Sequence, residues 1–595
     1  MRLATALAVL MAALISFPAW AADNGWLARG KGGMVATDAG EASQIGATVL
    51  AEGGNAFDAA VATSLALAVC RPQSTGLGGG GFLVAYVAKE QRFVVLDFRE
   101  VAPAGAIAEH YAKLMGGRGA GPSPSIYGGN AAGVPGQAAG LAEIHKRFAT
   151  KPWRDLVEPA RRLAENGFTV DEAYREACEE ALADYRKWPQ LQEQYATLHR
   201  TLLGSGTAPA SGARLARPDL ARGLALLAGR GAEAVYAGPL GAAMVKAVQA
   251  AGGVLTHEDL AAYQVREREP LRGTYRGHEI VTMPPPSSGG VCLIQTLNIL
   301  DEIRQPGTLR TSTQTTAVLY PVALVTALQH AFADRARWLG DPDFADVPVA
   351  LLTSRRYASR LAVSRPKSAD EFGSTRLPDS SGRPPGQSTR PADEPAATSP
   401  PDDRGTSHFC VADSEGNIVA LTETINGVFG ALVVAEPYGI ILNNQMDDFT
   451  TEPGKPNLFG LIQSERNAVA PGKRPLSSMA PTIVLKDGRP VLALGASGGP
   501  RIITSVLQVL LNVVDFNQPL AEALPALRLH HQWQPNEVYF DRQPPRKMIQ
   551  ILTDAGHKVS GECRTGIVQA IQFLPDGTLV GGSDPRKGGR PAGVP

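Results

Sequence analysis

The stretch from Thr406 to Asn426 constrains the fold more than any other part of this 595-residue chain. Two runs rich in β-branched and apolar residues, Thr406–Ala412 and Ile418–Asn426, flank the turn Asp413-Ser-Glu-Gly-Asn417, which reads as strand, turn, strand. If Ala412 faces Ile418 across that turn, the residue numbers of every cross-strand pair sum to 830, so Phe409 faces Leu421 and Val411 faces Val419. That face is apolar and belongs to a core. The other face pairs His408 with Thr422 and Thr406 with Thr424. A register slipped by one would mix the two faces. Taken from the hairpin alone, the threonine pair reads as an ordinary Thr–Thr contact on a sheet surface.

What precedes the hairpin gives the pair its interest. From about Lys367 to Arg404 the chain is rich in Pro, Ser, Asp and Glu, including Ser-Ser-Gly-Arg-Pro-Pro-Gly-Gln-Ser at 380–388. Such a segment buries too little apolar surface to offset its chain entropy and is expected to be a disordered linker. A linker of that length inside an enzyme is either functional or a boundary. Upstream, from Gly33 to about Arg365, short apolar strands alternate with amphipathic helical stretches such as Ala42–Leu67, Leu220–Ala251 and Ala317–Arg337, the pattern of an α/β or α+β fold.

The N-terminus is excluded from the fold. Met1-Arg2, the apolar run Leu3–Phe17 and Ala19-Trp-Ala21 have signal-peptide anatomy, with cleavage expected after Ala21; a membrane anchor fits less well because the run is short and ends in a small-x-small site. The mature protein is expected to be soluble and exported, to a bacterial periplasm or to the medium, with no membrane anchor. The 57 Lys and Arg balance the 57 Asp and Glu, which leaves no basic footprint for nucleic acid. The five cysteines, Cys70, Cys178, Cys292, Cys410 and Cys563, are dispersed and read as free thiols; adjacent His530 and His531 cannot share a face. No metal and no cofactor is expected.

Farther on, Pro490–Leu494 reads as a strand, Gly495–Gly499 as a turn and Pro500–Val514 as a helix. Gly498 and Gly499 would offer backbone N–H groups to an oxyanion at the helix start, or simply make a tight connection. The same residues match the G-x-S-x-G elbow of serine hydrolases, with Asp541 and His557 following in the order that fold uses, so Ser497 is a rival nucleophile.

Several motifs taken together resemble the gamma-glutamyltransferase (glutathione hydrolase) family. They are Gly53–Ala60, the glycine run Pro72–Gly81, Asp97-Phe-Arg-Glu100, Pro284–Gly290, Thr406-Ser-His-Phe409, Thr422–Asn426, Asn443–Phe449, Arg474–Met479, Gly498-Gly499 and Ser583-Asp-Pro-Arg586. The resemblance covers about Gly32 to Arg586. It implies an α+β N-terminal-nucleophile hydrolase fold, a four-layer αββα sandwich assembled from one precursor that cuts itself between Gly405 and Thr406. The products would be a large subunit, 22–405, and a small one of 190 residues, 406–595 (595 − 405), associated as a heterodimer.

Residue by residue, the resemblance makes Thr406 the nucleophile, with its freed α-amine, of reference pKa about 7.7–8.0, as the base. Thr424 would orient the hydroxyl, and Gly498 and Gly499 would form the oxyanion hole. Arg99, Ser477 and Ser478 would hold the α-carboxylate of a γ-glutamyl donor; Asn426, Gln445 and Asp448 would hold its ammonium. Gly405 would give the scissile bond its bend. His408 is expected to be structural, and the run Pro72–Gly81 lacks a P-loop ending and is expected to serve close packing. Phe459 stands where many bacterial members with a lid loop carry tyrosine, so Pro453–Ser464 is the expected lid. The implied reaction is attack on the γ-amide of glutathione and transfer of the acyl group to water, an amino acid or a peptide. The alternatives are a cephalosporin-acylase-like amidase of the same fold, a serine hydrolase at Ser497, and an exported solute-binding protein that stays one chain.

Overall fold

A computed structural model describes residues 25–117, 121–303, 313–364, 372, 405–452 and 454–595. The expected signal peptide lies outside the described residues, and so does the expected linker apart from Phe372. That residue departs from the expectation: it is buried, its ring lies 5.1 Å from that of His330, and its carbonyl accepts from Arg337 at 2.7 Å.

Among the described residues, fourteen strands build the two large sheets: β1 (Leu27–Gly30), β2 (Gly33–Thr37), β3 (Gly80–Val87), β4 (Arg92–Phe98), β5 (Arg266–Arg268), β6 (Leu271–Tyr275), β7 (His278–Thr282), β8 (Thr406–Asp413), β9 (Ile418–Thr424), β10 (Thr482–Lys486), β11 (Arg489–Ser497), β12 (Ile567–Phe573), β13 (Leu579–Ser583) and β14 (Ala592–Val594). The first sheet runs β14-β2-β8-β9-β3-β4-β5 and the second β1-β13-β12-β11-β10-β7-β6. The hairpin register is the expected one, from Ala412↔Ile418 to Thr406↔Thr424.

The sheets face each other, with β8 against β11 and β12. Alternation along the strands divides the core. Phe409, Val411, Val419 and Leu421 point outward to helices α1 (Gly40–Ala51), α2 (Ala56–Cys70) and α3 (Gln137–Phe148). Cys410, Ala412, Ile418 and Ala420 point inward to Ile483, Leu492 and Leu494 of the second sheet. That sheet's far side is covered by α4 (Gly289–Ile303) and α6 (Arg501–Val514), with α5 (Thr313–Trp338) packed on α4. The result is the four-layer αββα sandwich. It overturns the surface-pair reading of Thr406 and Thr424: their face lies between the sheets, and they are 5% and 2% exposed.

Two expected helices are broken. Ala42–Leu67 divides because Gly53 has φ +82°, and Asn55 then starts α2 with a capping box to Asp58. Every residue of α2 is buried, so it has no polar stripe. Leu220–Ala251 divides into Pro218–Arg230, Glu233–Tyr236 and Pro239–Ala250, at Gly231 (φ +62°) and before Pro239.

Candidate active site

Thr406 opens β8. Its Oγ1 lies 3.0 Å from Thr424 Oγ1, the pairing that the hairpin register demands. Thr424 Oγ1 donates to the Gly405 carbonyl at 2.8 Å and accepts the Asn426 N–H at 2.8 Å, so the Thr406 hydroxyl is the donor in the pair. Gly405 leaves no room for a side chain: a Cβ there would sit 1.9 Å from the Asn426 carbonyl oxygen.

Asn426 itself is left-handed, φ +77°, and its Nδ2 donates to the Asn444 carbonyl at 3.0 Å, while Asn444 Oδ1 accepts from Gly427 N–H at 2.8 Å. These bonds join the hydroxyl pair to the turn that carries Gln445 and Asp448. The glycine run is packing, as expected. Cβ atoms at Gly78, Gly79 and Gly81 would meet the carbonyls of Ile441, Thr424 and Thr422 at 2.0, 2.1 and 2.5 Å, so side chains there would push the site apart.

The second cluster is a buried ion pair with amide and serine neighbours. Arg99 Nη2 meets Asp448 Oδ2 at 2.5 Å and its Nε donates to the Pro475 carbonyl at 3.3 Å. Gln445 Nε2 donates to the same Asp448 oxygen at 2.7 Å. Burial pushes the Asp448 carboxyl up, opposed by Arg99. Ser477 is held by main-chain bonds to Pro286 and Ser288, 2.9 and 2.8 Å, which is what the Pro284–Gly290 motif does. Ser478 Oγ lies 3.5 Å from Arg335 Nη2.

Glu100 Oε2 lies 4.0 Å from Arg99 Nη1, an ion pair too long for a hydrogen bond. Both carboxylate oxygens of Glu100 and the amide oxygen of Gln445 are buried without a hydrogen-bond partner. Desolvation holds the Glu100 carboxyl at about 7, against the lowering field of Arg99. Buried acceptors without donors mark a place for a cationic or donor-rich ligand.

Gly498 and Gly499, with φ of +127° and +53°, follow the end of β11. The strand they follow packs on β8, where His408 lies against Gly495. The strand continues through Ser497, which pairs with Ile567. The expected five-residue turn is therefore only its last two glycines, and Ser497 does not stand on an elbow. Asp541 is occupied by Arg586, Nε to Oδ2 2.9 Å. His408 is structural: buried, held neutral with its pKa at about 3, and bonded to Thr422 Oγ1 at 2.8 Å.

A model of the gamma-glutamyltranspeptidase family matches residues 42–594. The chain belongs to that family. It is 39% identical over 564 residues to the glutathione hydrolase proenzyme of Escherichia coli (strain K12), spanning 94% of this chain and 91% of that one. It is 38% identical over 574 residues to the acylase ACY 1 proenzyme of Pseudomonas sp. (strain SE83), spanning 95% and 94%. The crystal structure of cephalosporin acylase from Bacillus halodurans matches with a TM-score of 0.80 at 27% identity, over 98% of this chain and 99% of that one.

In this gamma-glutamyltranspeptidase family member the segment expected to form a lid packs against the rest of the protein. Leu458 N–H donates to Asp447 Oδ2 at 2.7 Å, and Leu458 Cδ2 would lie 3.2 Å from a Cβ on Gly427. Phe459 is buried among core residues, its carbonyl accepting from Gln532 at 3.2 Å. Leu458, one position before the expected residue, is thus the side chain beside Gly427. Sequence reasoning also passed over Arg335 and Glu100. The signal for Glu100 was its place in Asp97-Phe-Arg-Glu100; nothing local marks Arg335, which sits on an apolar helix.

Proposed function

We propose that this chain is an exported, self-processing γ-glutamyl hydrolase and transferase acting on glutathione and related donors. The observation that carries the reading is the buried hydroxyl pair: Thr406 donates to Thr424, and Thr424 donates to the carbonyl of the bond that would be cut. In processing, Thr406 Oγ attacks the Gly405 carbonyl carbon, the C–N bond breaks, and water releases the Gly405 carboxylate from the resulting ester. The products are the large subunit 22–405 and the small subunit 406–595. Thr406 then carries its own base. Its α-amine takes the hydroxyl proton as Oγ attacks the γ-amide and passes it to the departing amine, leaving a γ-glutamyl ester. Water or an amino acid takes the acyl group from that ester.

Gly498 and Gly499 are assigned to the oxyanion, Arg99 with Ser477 and Ser478 to the donor carboxylate, and Asp448, Gln445 and Asn426 to its ammonium. The buried acceptors without donors support an ammonium in the pocket. The likeness to acylases sustains a second reading, an amidase for acyl groups without that ammonium.

The deciding experiment is a denaturing gel with N-terminal sequencing of the smaller band, followed by comparison of γ-glutamyl and glutaryl anilides, which differ in the α-amine. A terminus at Thr406, an unprocessed and inactive Thr406→Ala, and preference for the γ-glutamyl compound are expected. A processed Thr406→Ala defeats the nucleophile assignment; preference for the glutaryl compound favours the acylase reading.

A further inference from the structure

The nucleophile strand has a strand neighbour on only one side at its start. β2 pairs with β8 from Asp413↔Gly33 to Phe409↔Thr37 and stops there, so Thr406, Ser407 and His408 have β9 on one edge and no β2 residue on the other. The closing segment of the chain occupies that edge. Lys587 Nζ donates to the Thr406 carbonyl at 3.1 Å and pairs with Asp38 Oδ2 at 2.5 Å. The same Asp38 oxygen accepts from Ser407 Oγ at 3.1 Å.

Lys587 and Asp38 are 7% and 1% exposed, so the pair is shielded from water and salt. The segment is itself fastened. Ser583 Oγ donates to the Thr37 carbonyl at 2.6 Å, a Cβ on Gly589 would lie 2.4 Å from that same oxygen, and β14 then pairs with β2.

We propose that Lys587 is a positioning residue for the nucleophile, holding the Thr406 main chain so that its hydroxyl keeps its aim once the chain ahead of it is severed. The proposal rests on reading Thr406 as the nucleophile. Before the cut, Thr406 is restrained by the peptide on each side. Afterwards it is a strand terminus, and termini fray unless tied down. The tie from β9 acts on one edge; Lys587 supplies the other. An ammonium suits the place because its several donors serve the Thr406 carbonyl and the Asp38 carboxylate together. Lys587 also lies in the same proposed subunit as Thr406, so the bond survives processing.

The test uses Lys587→Met, which keeps chain length and removes the donor, and Lys587→Met/Asp38→Asn, which also removes the carboxylate left behind. Acylation is read from the burst of nitroaniline released from γ-glutamyl p-nitroanilide, and donor-site binding from the competitive inhibition constant of L-glutamate. We expect the acylation rate constant to fall at least about tenfold, with the L-glutamate constant within about twofold of wild type. Processing itself should proceed, and a variant that folds with a wild-type thermal midpoint yet remains one chain overturns the proposal, since it would place the need for Lys587 before the cut. If Lys587→Met does not fold, the double variant is read; failure of both to fold makes Lys587 a stability element and overturns the proposal. Wild-type acylation overturns it, as does a matching loss of L-glutamate binding. These outcomes are separable from failure of the parent reading, because an active Thr406→Ala would defeat that reading whatever Lys587 does.

Discussion

The His408 imidazole occupies the space that a side chain on Gly495 would need: a Cβ built there would lie 2.3 Å from His408 Cε1. The two residues belong to facing sheets, so this is a point where β8 and β11 interlock two residues beyond the candidate nucleophile. Gly495→Ala is expected to cost on the order of 1–3 kcal/mol, the range for overpacking a closed interior, read as a lowered midpoint in urea unfolding. An unchanged midpoint would mean that the sheets separate freely here.

Gly405→Ala tests the close approach at the proposed scissile bond. With the Asn426 carbonyl oxygen 1.9 Å from the added Cβ, Gly405 must move and its carbonyl must leave the Thr424 hydroxyl. Processing should slow by about tenfold or more, as misplacement of reacting groups generally does. The measurement is the half-time for appearance of the smaller band; a wild-type half-time would refute it.

Glu423 belongs to β9, opposite Ser407, and accepts from Ser64 Oγ and Gln137 Nε2 at 2.5 Å, with its pKa pushed by burial from 4.5 to about 8. The fold therefore favours the protonated form. Its contribution to stability is full below about 4.5, where the unfolded chain is also protonated, and is lost as pH rises through about 8. Glu423→Gln should flatten the fall in thermal midpoint between pH 5 and 8. Glu100 and Asp447, both raised to about 7, preserve part of the slope. An identical slope in the variant would show that Glu423 is ionised in the native protein.

Arg99 makes one contact to Asp448 and another to the Pro475 carbonyl, a fork that a lysine cannot reproduce. Arg99→Lys should raise KM for glutathione and for γ-glutamyl anilide together, by about tenfold, corresponding to roughly 1.4 kcal/mol. Processing should continue, since no donor is bound in that step. Equal loss on an amide that lacks the α-carboxylate would make Arg99 structural.

The hairpin was readable because its partners are near in sequence: one short turn and a change of apolar face determine every pair from Ala412↔Ile418 to Thr406↔Thr424. Burial of the threonine face was not readable, because the covering strands β11 and β12 arrive from residues 489–497 and 567–573 and local alternation carries no record of them. The donor cluster divides likewise. Arg99 and Asp448 are 349 positions apart and only the family motifs joined them. Arg335 and Lys587 make long-range contacts, to Ser288, Gln463 and Ser478 and to Thr406 and Asp38, that neither periodicity nor a local motif reveals. Leu458 and Phe459 show the limit of motif reading: Phe459, the residue that the motif points to, is buried in the core, and the side chain beside Gly427 is its neighbour.

The strand order of the first sheet has a consequence for the life of the molecule. β8 lies between β2 and β9, β9 lies between β8 and β3, and β14 borders β2, so strands from before and after Gly405 are interleaved. A cut at Gly405 would therefore free no interface. Parting the two pieces would require unzipping five ladders of main-chain hydrogen bonds, β2 from β8, β2 from β14 and β3 from β9 in the first sheet and β1 from β13 and β7 from β10 in the second, which amounts to unfolding. Dilution should not take such an enzyme apart, and its two polypeptides would share a single melting transition, inherited from a chain that was threaded before it was divided.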